Sequence, residues 1–215
     1  MKYFGFVLLT LISFFTPAAA AEYVFSATED AFYENPANWS PAYPGDTLRA
    51  GDRAVLLSHG AFGGRRLVIQ GVLEIASGVT FHMPGGMLQI EAGALLDNHG
   101  TLLADQVSNA GRLFNRMASA ASLKSYEARS GAYTLNSRGA SFQSAASLIN
   151  GGRFDNYGSC LAALDFDNRS EFNGIRFSRL EISRDLVLSP RSVLAIAPDA
   201  QVRIRGAEPA LPLIP

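Results

Sequence analysis

The most constraining feature of the sequence is a succession of short apolar runs separated by glycine-containing turns. Six runs begin between positions 67 and 101, so five steps cover 34 residues, a mean of 6.8. Within a run, apolar and polar side chains alternate, as in Leu73-Glu74-Ile75, and this alternation is typical of a β-strand. Because glycine returns in nearly every turn, a helix of about ten or more residues has no room to form.

Strands this short, joined by links of two or three residues, fit either an antiparallel sandwich or a coiling solenoid. A sandwich usually contains hairpin dipeptides such as Asn-Gly or Asp-Gly. The sequence has only two of them, Asn150-Gly151 and Asn173-Gly174. Three strands of about seven residues make a coil of about 21, which is within the size range of solenoid repeats. The spacing therefore favours a β-solenoid.

An internal repeat supports the solenoid. The segment NAGRLFN at 109–115 returns as NGGRFDN at 150–156, and a shorter echo, NHGTL, occupies 98–102. The offset of the two longer segments, 150 − 109 = 41 residues, is close to two coils of about 20.5. An Asn amide can bond to the equivalent Asn one coil away, and Asn tolerates the backbone of tight turns. We therefore predict that Asn109 and Asn150 begin equivalent turns two coils apart.

The chain divides into four predicted segments. Residues 1–21 are predicted to be a secretory signal peptide, 22–47 an N-terminal cap, 48–206 the solenoid and 207–215 a proline-rich C-terminal tail that covers the opposite end. The Ala- and Ser-rich stretch 117–131 fits the strand pattern least well. It is compatible with a short helix, an irregular coil, or strands with a bulged-out loop, and the strand interpretation is favoured.

The signal-peptide prediction follows from the order of residue types at the start of the chain. Lys2 supplies a positive charge, residues 4–15 are mostly apolar, and 18–21 are all alanine. Cleavage is predicted after Ala20 or Ala21. An apolar stretch of about twelve residues is too short to cross a bilayer. We expect an exported chain without a membrane span once processed, located in the periplasm, at the cell surface or outside the cell.

Charge and cysteine content narrow the function classes. Eighteen basic and 19 acidic residues give a net charge of −1, which does not favour a nucleic-acid partner. Cys160 is the only cysteine, so no intrachain disulfide can form, and it is predicted to be a small buried hydrophobe. His59, His82 and His99 are spaced by about one coil each and could form a metal-binding column. Exposed histidines without a metal are the favoured interpretation.

The opening NPANWS at 35–40, followed by Pro44-Gly45-Asp46, looks like the start of many secreted bacterial β-solenoids. The Asn-x-Gly turns followed by apolar pairs resemble those of filamentous-haemagglutinin-like adhesins and autotransporter passenger domains. The resemblance covers most of the chain after the signal peptide. It implies an all-β fold, a right-handed parallel β-helix with three short strands per coil of about 20–24 residues. It also implies a bacterial surface location, with adhesion or scaffolding as the role.

Parallel β-helices of this kind also include pectin-cleaving enzymes, so the acidic residues need to be weighed. Asp165 and Asp167 share one strand face, and Asp155, Arg153 and Arg176 could lie on neighbouring coils. Paired carboxylates can act as acid and base or hold calcium. The alternative function is therefore a polysaccharide lyase or hydrolase acting on a lateral face. The favoured interpretation is a solvated outer face with no catalytic residues and no cofactor.

Aromatic residues are concentrated in the predicted cap. Trp39, Tyr33 and Tyr43 could form a platform on which a sugar stacks, or they could close the end of the solenoid, and the second interpretation is favoured. The leading prediction for function is a small exported β-solenoid that binds or scaffolds at the cell surface or in the periplasm. Its expected partner is a surface glycan or another envelope component.

Overall fold

The computed structural model describes residues 20–162 and 164–205. Within these residues the protein is almost entirely β, with one three-residue 3-10 helix at Pro36–Asn38. The predicted signal peptide, apart from its last two residues, and the predicted tail 207–215 lie outside the described residues. Parallel strands stack into a β-solenoid of about eight turns, so the predicted parallel β-helix is confirmed.

The strands follow one another through short corners. In chain order they are β1 (Glu22–Phe25), β2 (Trp39–Ser40), β3 (Thr47–Leu48), β4 (Arg53–Leu56), β5 (Gly60–Ala61), β6 (Arg66–Ile69), β7 (Val72–Ile75), β8 (Thr80–Ile90), β9 (Leu95–Asn98), β10 (Thr101–Asn109), β11 (Arg112–Asn115), β12 (Ala120–Ala128), β13 (Tyr133–Asn136), β14 (Ser141–Asn150), β15 (Arg153–Asn156), β16 (Ser159–Ala162), β17 (Asp165–Asn168), β18 (Glu171–Gly174), β19 (Arg179–Ile182), β20 (Leu186–Leu188), β21 (Val193–Ile196) and β22 (Gln201–Ile204).

These strands form three lateral faces. Face 1 is the sheet that runs β1-β4-β7-β9-β11-β13-β15-β18-β21. The second sheet bends along its length, because β8, β10, β12 and β14 are long strands that pair in two halves. Face 2 contains β5, the first halves of these long strands, β16, β19 and β22. Face 3 contains β3, β6, the second halves, β17 and β20.

The strand register confirms the repeat that the sequence predicts. On face 1, successive strands from β4 to β21 begin between Arg53 and Val193, seven steps over 140 residues, a mean of 20 per coil. Asn109 aligns with Ala128, which aligns with Asn150, so the two asparagines lie two coils apart on face 3. The shorter echo has a different position, because Asn98 ends β9 on face 1. The same Asn-x-Gly sequence therefore serves two different corners.

The core is a column of inward side chains, one layer per coil. Leu73 and Ile75 are buried while Glu74 faces outward, as their alternation predicts. In the C-terminal half the layers become aromatic, with Phe142 and Phe154 packing edge to face at 5.2 Å between ring centroids. Cys160 is fully buried in this core and free, as predicted. Its burial raises the pKa of the thiol to about 12, so the group stays uncharged and unreactive.

Two asparagine ladders line the corners inside the solenoid. Along the first ladder, the Nδ2 of each asparagine except the last donates to the Oδ1 of the asparagine in the next coil at 2.8–2.9 Å. Its members, all fully buried, are Asn98, Asn115, Asn136 and Asn156. Each amide also donates to a backbone carbonyl one coil further on. The ladder therefore satisfies polar corner groups that would otherwise be buried without partners.

The second ladder is interrupted. Asn150 donates to Asn168 at 2.9 Å, but Ala128 occupies the position where an asparagine would join Asn150 to Asn109. Asn109 instead donates to the hydroxyl of Tyr126 at 3.0 Å. The Oδ1 of Asn150, which would face the missing amide, has no hydrogen-bond partner among the described residues. Tyr126 thus provides the hydrogen-bond partner that Asn109 would otherwise lack, but it does not provide one for Asn150.

The two ends of the solenoid are different. At the N-terminal end, β2 pairs antiparallel with β1 and covers its free edge, which is a common way to close a sheet edge. The predicted cap 22–47 thus begins with a strand, β1, that is itself part of face 1. At the C-terminal end the aliphatic side chains of the last coil are partly exposed, Leu188 at 43% and Val202 at 41%.

The stretch 117–131 is a strand rather than a helix. It contains β12, which pairs in parallel with β10 and β14. The register shifts between Leu123 and Ser125, where the strand bends from face 2 to face 3. The strand interpretation of this segment is therefore correct, and its bulge is the corner of the coil.

Candidate functional site

Asp155 lies on the outer side of face 1 and is the most enclosed of the candidate carboxylates. It is only 4% exposed. Its Oδ2 accepts a hydrogen bond from the hydroxyl of Tyr133 at 2.9 Å, and its Oδ1 accepts one from Nδ2 of Asn173 at 2.8 Å. Arg153, two residues earlier on β15, forms an ion pair with it at 3.0 Å. Every contact that the carboxylate makes here is with a donor from its own strand or an adjacent coil.

These contacts decide the charge of Asp155. Burial alone would raise its pKa, but the hydrogen bonds from Arg153, Asn173 and Tyr133 and the charge of Arg153 together hold the pKa below its ordinary value of 3.8. Burial raises the pKa of Tyr133 to about 12, so its hydroxyl remains a donor to the carboxylate. A carboxylate with a lowered pKa is a poor general acid near neutral pH.

We predict a measurable acid dependence from this carboxylate. A group whose pKa is lowered by folding stabilises the protein above its unfolded pKa, and that contribution is lost as the pH falls through the folded value. The urea midpoint should therefore fall as the pH is lowered from about 5 to below the ordinary Asp pKa. Asp155→Asn should make this fall smaller, and Tyr133→Phe should reduce it to an intermediate degree. Identical pH profiles for all three proteins would contradict the prediction.

Asp165 and Asp167 lie on face 3, so the structure does not place them beside Asp155. Both point outward from β17, as the alternation predicts, while Phe166 and Asn168 between and after them are buried. Asp165 is paired with Arg184 of the next coil, with Nε and Oδ1 2.7 Å apart. Asp167 accepts from Nε of Arg169 at 2.7 Å. The hydrogen bond from Arg184 lowers the pKa of Asp165.

Arg176 completes the set of five residues that the sequence suggested for one lateral site. It lies in the corner after β18, its side chain is 81% exposed, and its nearest carboxylate is Asp199 at 4.0 Å. The five residues are therefore divided between two faces and a corner. Among the described residues, no group of three or more His, Cys, Asp or Glu side chains has the arrangement of a metal site. The spacing in sequence could not reveal this, because side chains share a face only where the strand register aligns them.

The cap aromatics are packed inside the N-terminal end. Tyr33 is 1% exposed and Trp39 is 6% exposed. Their rings meet edge to face at 4.7 Å, and the Trp39 Nε1 donates to the Tyr33 carbonyl oxygen at 2.6 Å. Tyr43 is half-buried and its hydroxyl donates to Asp46. These contacts close the N-terminal end of the solenoid. A sugar would reach the rings of Tyr33 and Trp39 only if the cap opened.

The three histidines do not form a column. His82 aligns with Ala61 in the coil before it and Leu103 in the coil after it. His59 accepts a hydrogen bond at Nδ1 from the backbone N–H of Thr80 at 2.9 Å. His99 lies in the corner that follows β9, with its Nε2 3.5 Å from Oδ2 of Asp97. Each histidine therefore has a separate environment, and a spacing of about one coil does not bring the three imidazoles together.

Face 1 carries a surface feature that the sequence did not reveal. Phe114 and Tyr133 lie on adjacent coils with ring centroids 5.7 Å apart and planes at 78°. The guanidinium of Arg116 lies 4.7 Å from the centre of the Phe114 ring, and that of Arg153 lies 5.9 Å from the Tyr133 ring. We call these four residues the aromatic–arginine strip. The sequence signal that could have revealed the contact is the 21-residue coil step. This step aligns Phe114 with Leu135 and Arg112 with Tyr133, so Phe114 and Tyr133 are diagonal neighbours on adjacent strands.

The strip has the composition of a surface that can recognise a ligand. Both rings are half-buried and therefore still reachable from solvent. Arg112, which aligns with Tyr133, is exposed beside them. Asp97 holds Arg116 through two hydrogen bonds, and Asp155 holds Arg153, so the guanidinium groups are fixed over the rings. Ring edges with oriented charged donors can contact the apolar and hydroxyl sides of a sugar at once.

By its fold the chain is a β-solenoid. Comparison with protein-family models, with curated proteins and with solved structures found no match. In the part of the chain that the structure describes, no helix is long and apolar enough to cross a membrane.

Proposed function

We propose that this protein is an exported, non-catalytic β-solenoid that binds an envelope glycan at the cell surface or in the periplasm and acts there as a binding or scaffold protein. The aromatic–arginine strip on face 1 is the observation that carries the proposal. It combines half-exposed rings with arginines that are held in place by carboxylates. Adhesion, as in the filamentous-haemagglutinin-like and autotransporter solenoids that the sequence resembles, would use a surface of this kind.

The carboxylates support binding over catalysis. A glycosidase needs a carboxyl group that stays protonated near its working pH and a second one close by. Here Asp155 and Asp165 have lowered pKa values, and each is engaged by an arginine. The alternative of a lyase or hydrolase would require one of these pairs to open when a polymer binds. Calcium, under that alternative, would have to compete with the same arginines.

Binding can be tested with immobilised cell-wall polysaccharides. We expect retention of the protein on at least one of them and a loss of about tenfold in affinity for Phe114→Ala, because a stacking contact is removed from the strip. The matched control is the double change Asp165→Asn and Asp167→Asn on face 3, which should leave affinity unchanged and stability within about 1 kcal/mol. Equal binding by the wild-type protein and Phe114→Ala would exclude the strip.

The enzymatic alternative is tested in parallel. Uronic-acid polymers should not be cleaved by the protein, with or without added calcium. Cleavage that disappears in the double variant of Asp165 and Asp167 would overturn the binding proposal in favour of a lyase or hydrolase. Export is tested separately by fractionating the cells and measuring where the protein accumulates.

A further inference from the structure

The carboxylate of Asp52 lies beside the backbone nitrogen of Ala21. Its Oδ1 accepts the Ala21 N–H at 2.9 Å, and Asp52 is only 9% exposed. No cation among the described residues forms an ion pair with it. The adjacent Arg53 is engaged elsewhere, with Glu22 and Glu74. A largely buried carboxylate without a counter-charge is unfavourable, so this position calls for a positive group.

We propose that export processing supplies that group, by cleavage after Ala20 that leaves the α-ammonium of Ala21 paired with Asp52. This inference rests on the proposed export of the chain. The step is a hydrolysis by a signal peptidase: water adds across the Ala20–Ala21 peptide bond, Ala20 keeps the new carboxylate and Ala21 the new amine. The amine is mostly protonated near neutral pH. The hydrogen bond from the uncharged amide to the Asp52 carboxylate thereby becomes a hydrogen-bonded ion pair.

The structure distinguishes this cleavage from the neighbouring one. The residues at the two possible sites are all alanine, so both cuts satisfy the small-x-small pattern. A cut after Ala21, however, removes the nitrogen that Asp52 binds. It also removes the Ala21 carbonyl, which accepts the backbone N–H of Arg53 at 2.8 Å as part of face 1. Only a cut after Ala20 keeps both contacts and adds the charge.

The pairing can be tested with three forms of the chain that begin at Ala20, Ala21 or Glu22, each with and without Asp52→Asn. The form that begins at Ala20 keeps both backbone hydrogen bonds of Ala21 but places the ammonium one residue away from Asp52, so it is the matched control. We expect the Ala21 form to have the highest urea midpoint, and Asp52→Asn to lower it by about 0.5 M. The same change should shift the other two forms less. An equal shift in all three forms would overturn the pairing.

The intact mass of the exported protein tests the cleavage itself. A mass that begins at Ala21 supports the inference. A mass that begins at Glu22 overturns it and leaves the export proposal standing. Retention of residues 1–20 on the protein in the exported fraction would also overturn it. If the protein is found only inside the cell, the export proposal fails, and with it the processing step, whereas the stability cycle still reports whether an ammonium at Ala21 pairs with Asp52.

Discussion

Gly100→Ala is expected to destabilise the protein by about 3 kcal/mol or more, among the largest effects of any conservative change in the chain. Gly100 follows the Asn98 corner, and a Cβ there would lie 2.2 Å from the Val79 carbonyl oxygen and 2.6 Å from that of Ala76. The Val79 carbonyl accepts the backbone N–H of Thr101 at 2.7 Å, so it cannot move without breaking the contact between coils. Equilibrium unfolding in urea measures the cost.

The matched control is Gly93→Ala. Gly93 has a φ of +84° and no atom within 4 Å of an added Cβ. Its substitution costs only the strain of a left-handed backbone, about 1 kcal/mol. The comparison therefore separates the close approach of two coils from backbone strain. If the two variants unfold at the same urea concentration, the coils do not approach as closely at this corner as the structure indicates.

Asn136→Ala is expected to cost about 3 kcal/mol, because it removes three buried hydrogen bonds from the centre of the first ladder. The Asn136 amide donates to Asn156 at 2.8 Å and to the Ser159 carbonyl at 2.9 Å, and its Oδ1 accepts from Asn115 at 2.9 Å. An alanine leaves these partners enclosed without replacements. Urea unfolding followed by far-UV circular dichroism gives the loss and checks that the folded state remains β.

Gln143→Ala is the control for the ladder. Gln143 is a polar amide on an adjacent element but it is exposed, so its removal should cost less than about 0.5 kcal/mol. Asn150→Ala should fall between the two, because Asn150 donates to Asn168 and to the Glu171 carbonyl while its Oδ1 has no partner within the described residues. Equal costs for Asn136→Ala and Gln143→Ala would show that an amide in the ladder stabilises the fold no more than an amide exposed to solvent.

The fold could be predicted because its causes are local and repeated. The alternation at Leu73-Glu74-Ile75 determines which side chains are buried, and the 41-residue offset between Asn109 and Asn150 gives the size of the coil. The Asn-x-Gly sequence also has a physical cause. The Asn98 side chain accepts the Gly100 N–H at 3.1 Å. Because Gly100 has no Cβ, the backbone of the preceding coil can pack closely against it. A chain that repeats these features has few alternatives to stacking.

The candidate site could not be predicted in the same way, because it depends on alignment between coils of unequal length. Steps on face 1 vary from 17 residues, between Leu95 and Arg112, to 23, between Val72 and Leu95. Residues that are about one coil apart in sequence, such as the three histidines at intervals of 23 and 17, therefore need not align. A shift of one position also turns a side chain from the outside to the core. Asp155 and Asp165 are on different faces because the ten residues that separate them are about half a coil and carry the chain from β15 to β17.

The first asparagine ladder gives the solenoid interior a direction. All of its amides donate toward the C-terminal coils, from Asn98 at one end to Asn156, which donates to the Arg179 carbonyl at the other. Aligned amide dipoles add, as peptide dipoles do along an α-helix, and each bond polarises the next. The column therefore has a negative pole at Asn98 and a positive pole at Asn156 although it contains no charged group. A uniformly stacked backbone thus acquires an electrical axis from side chains alone.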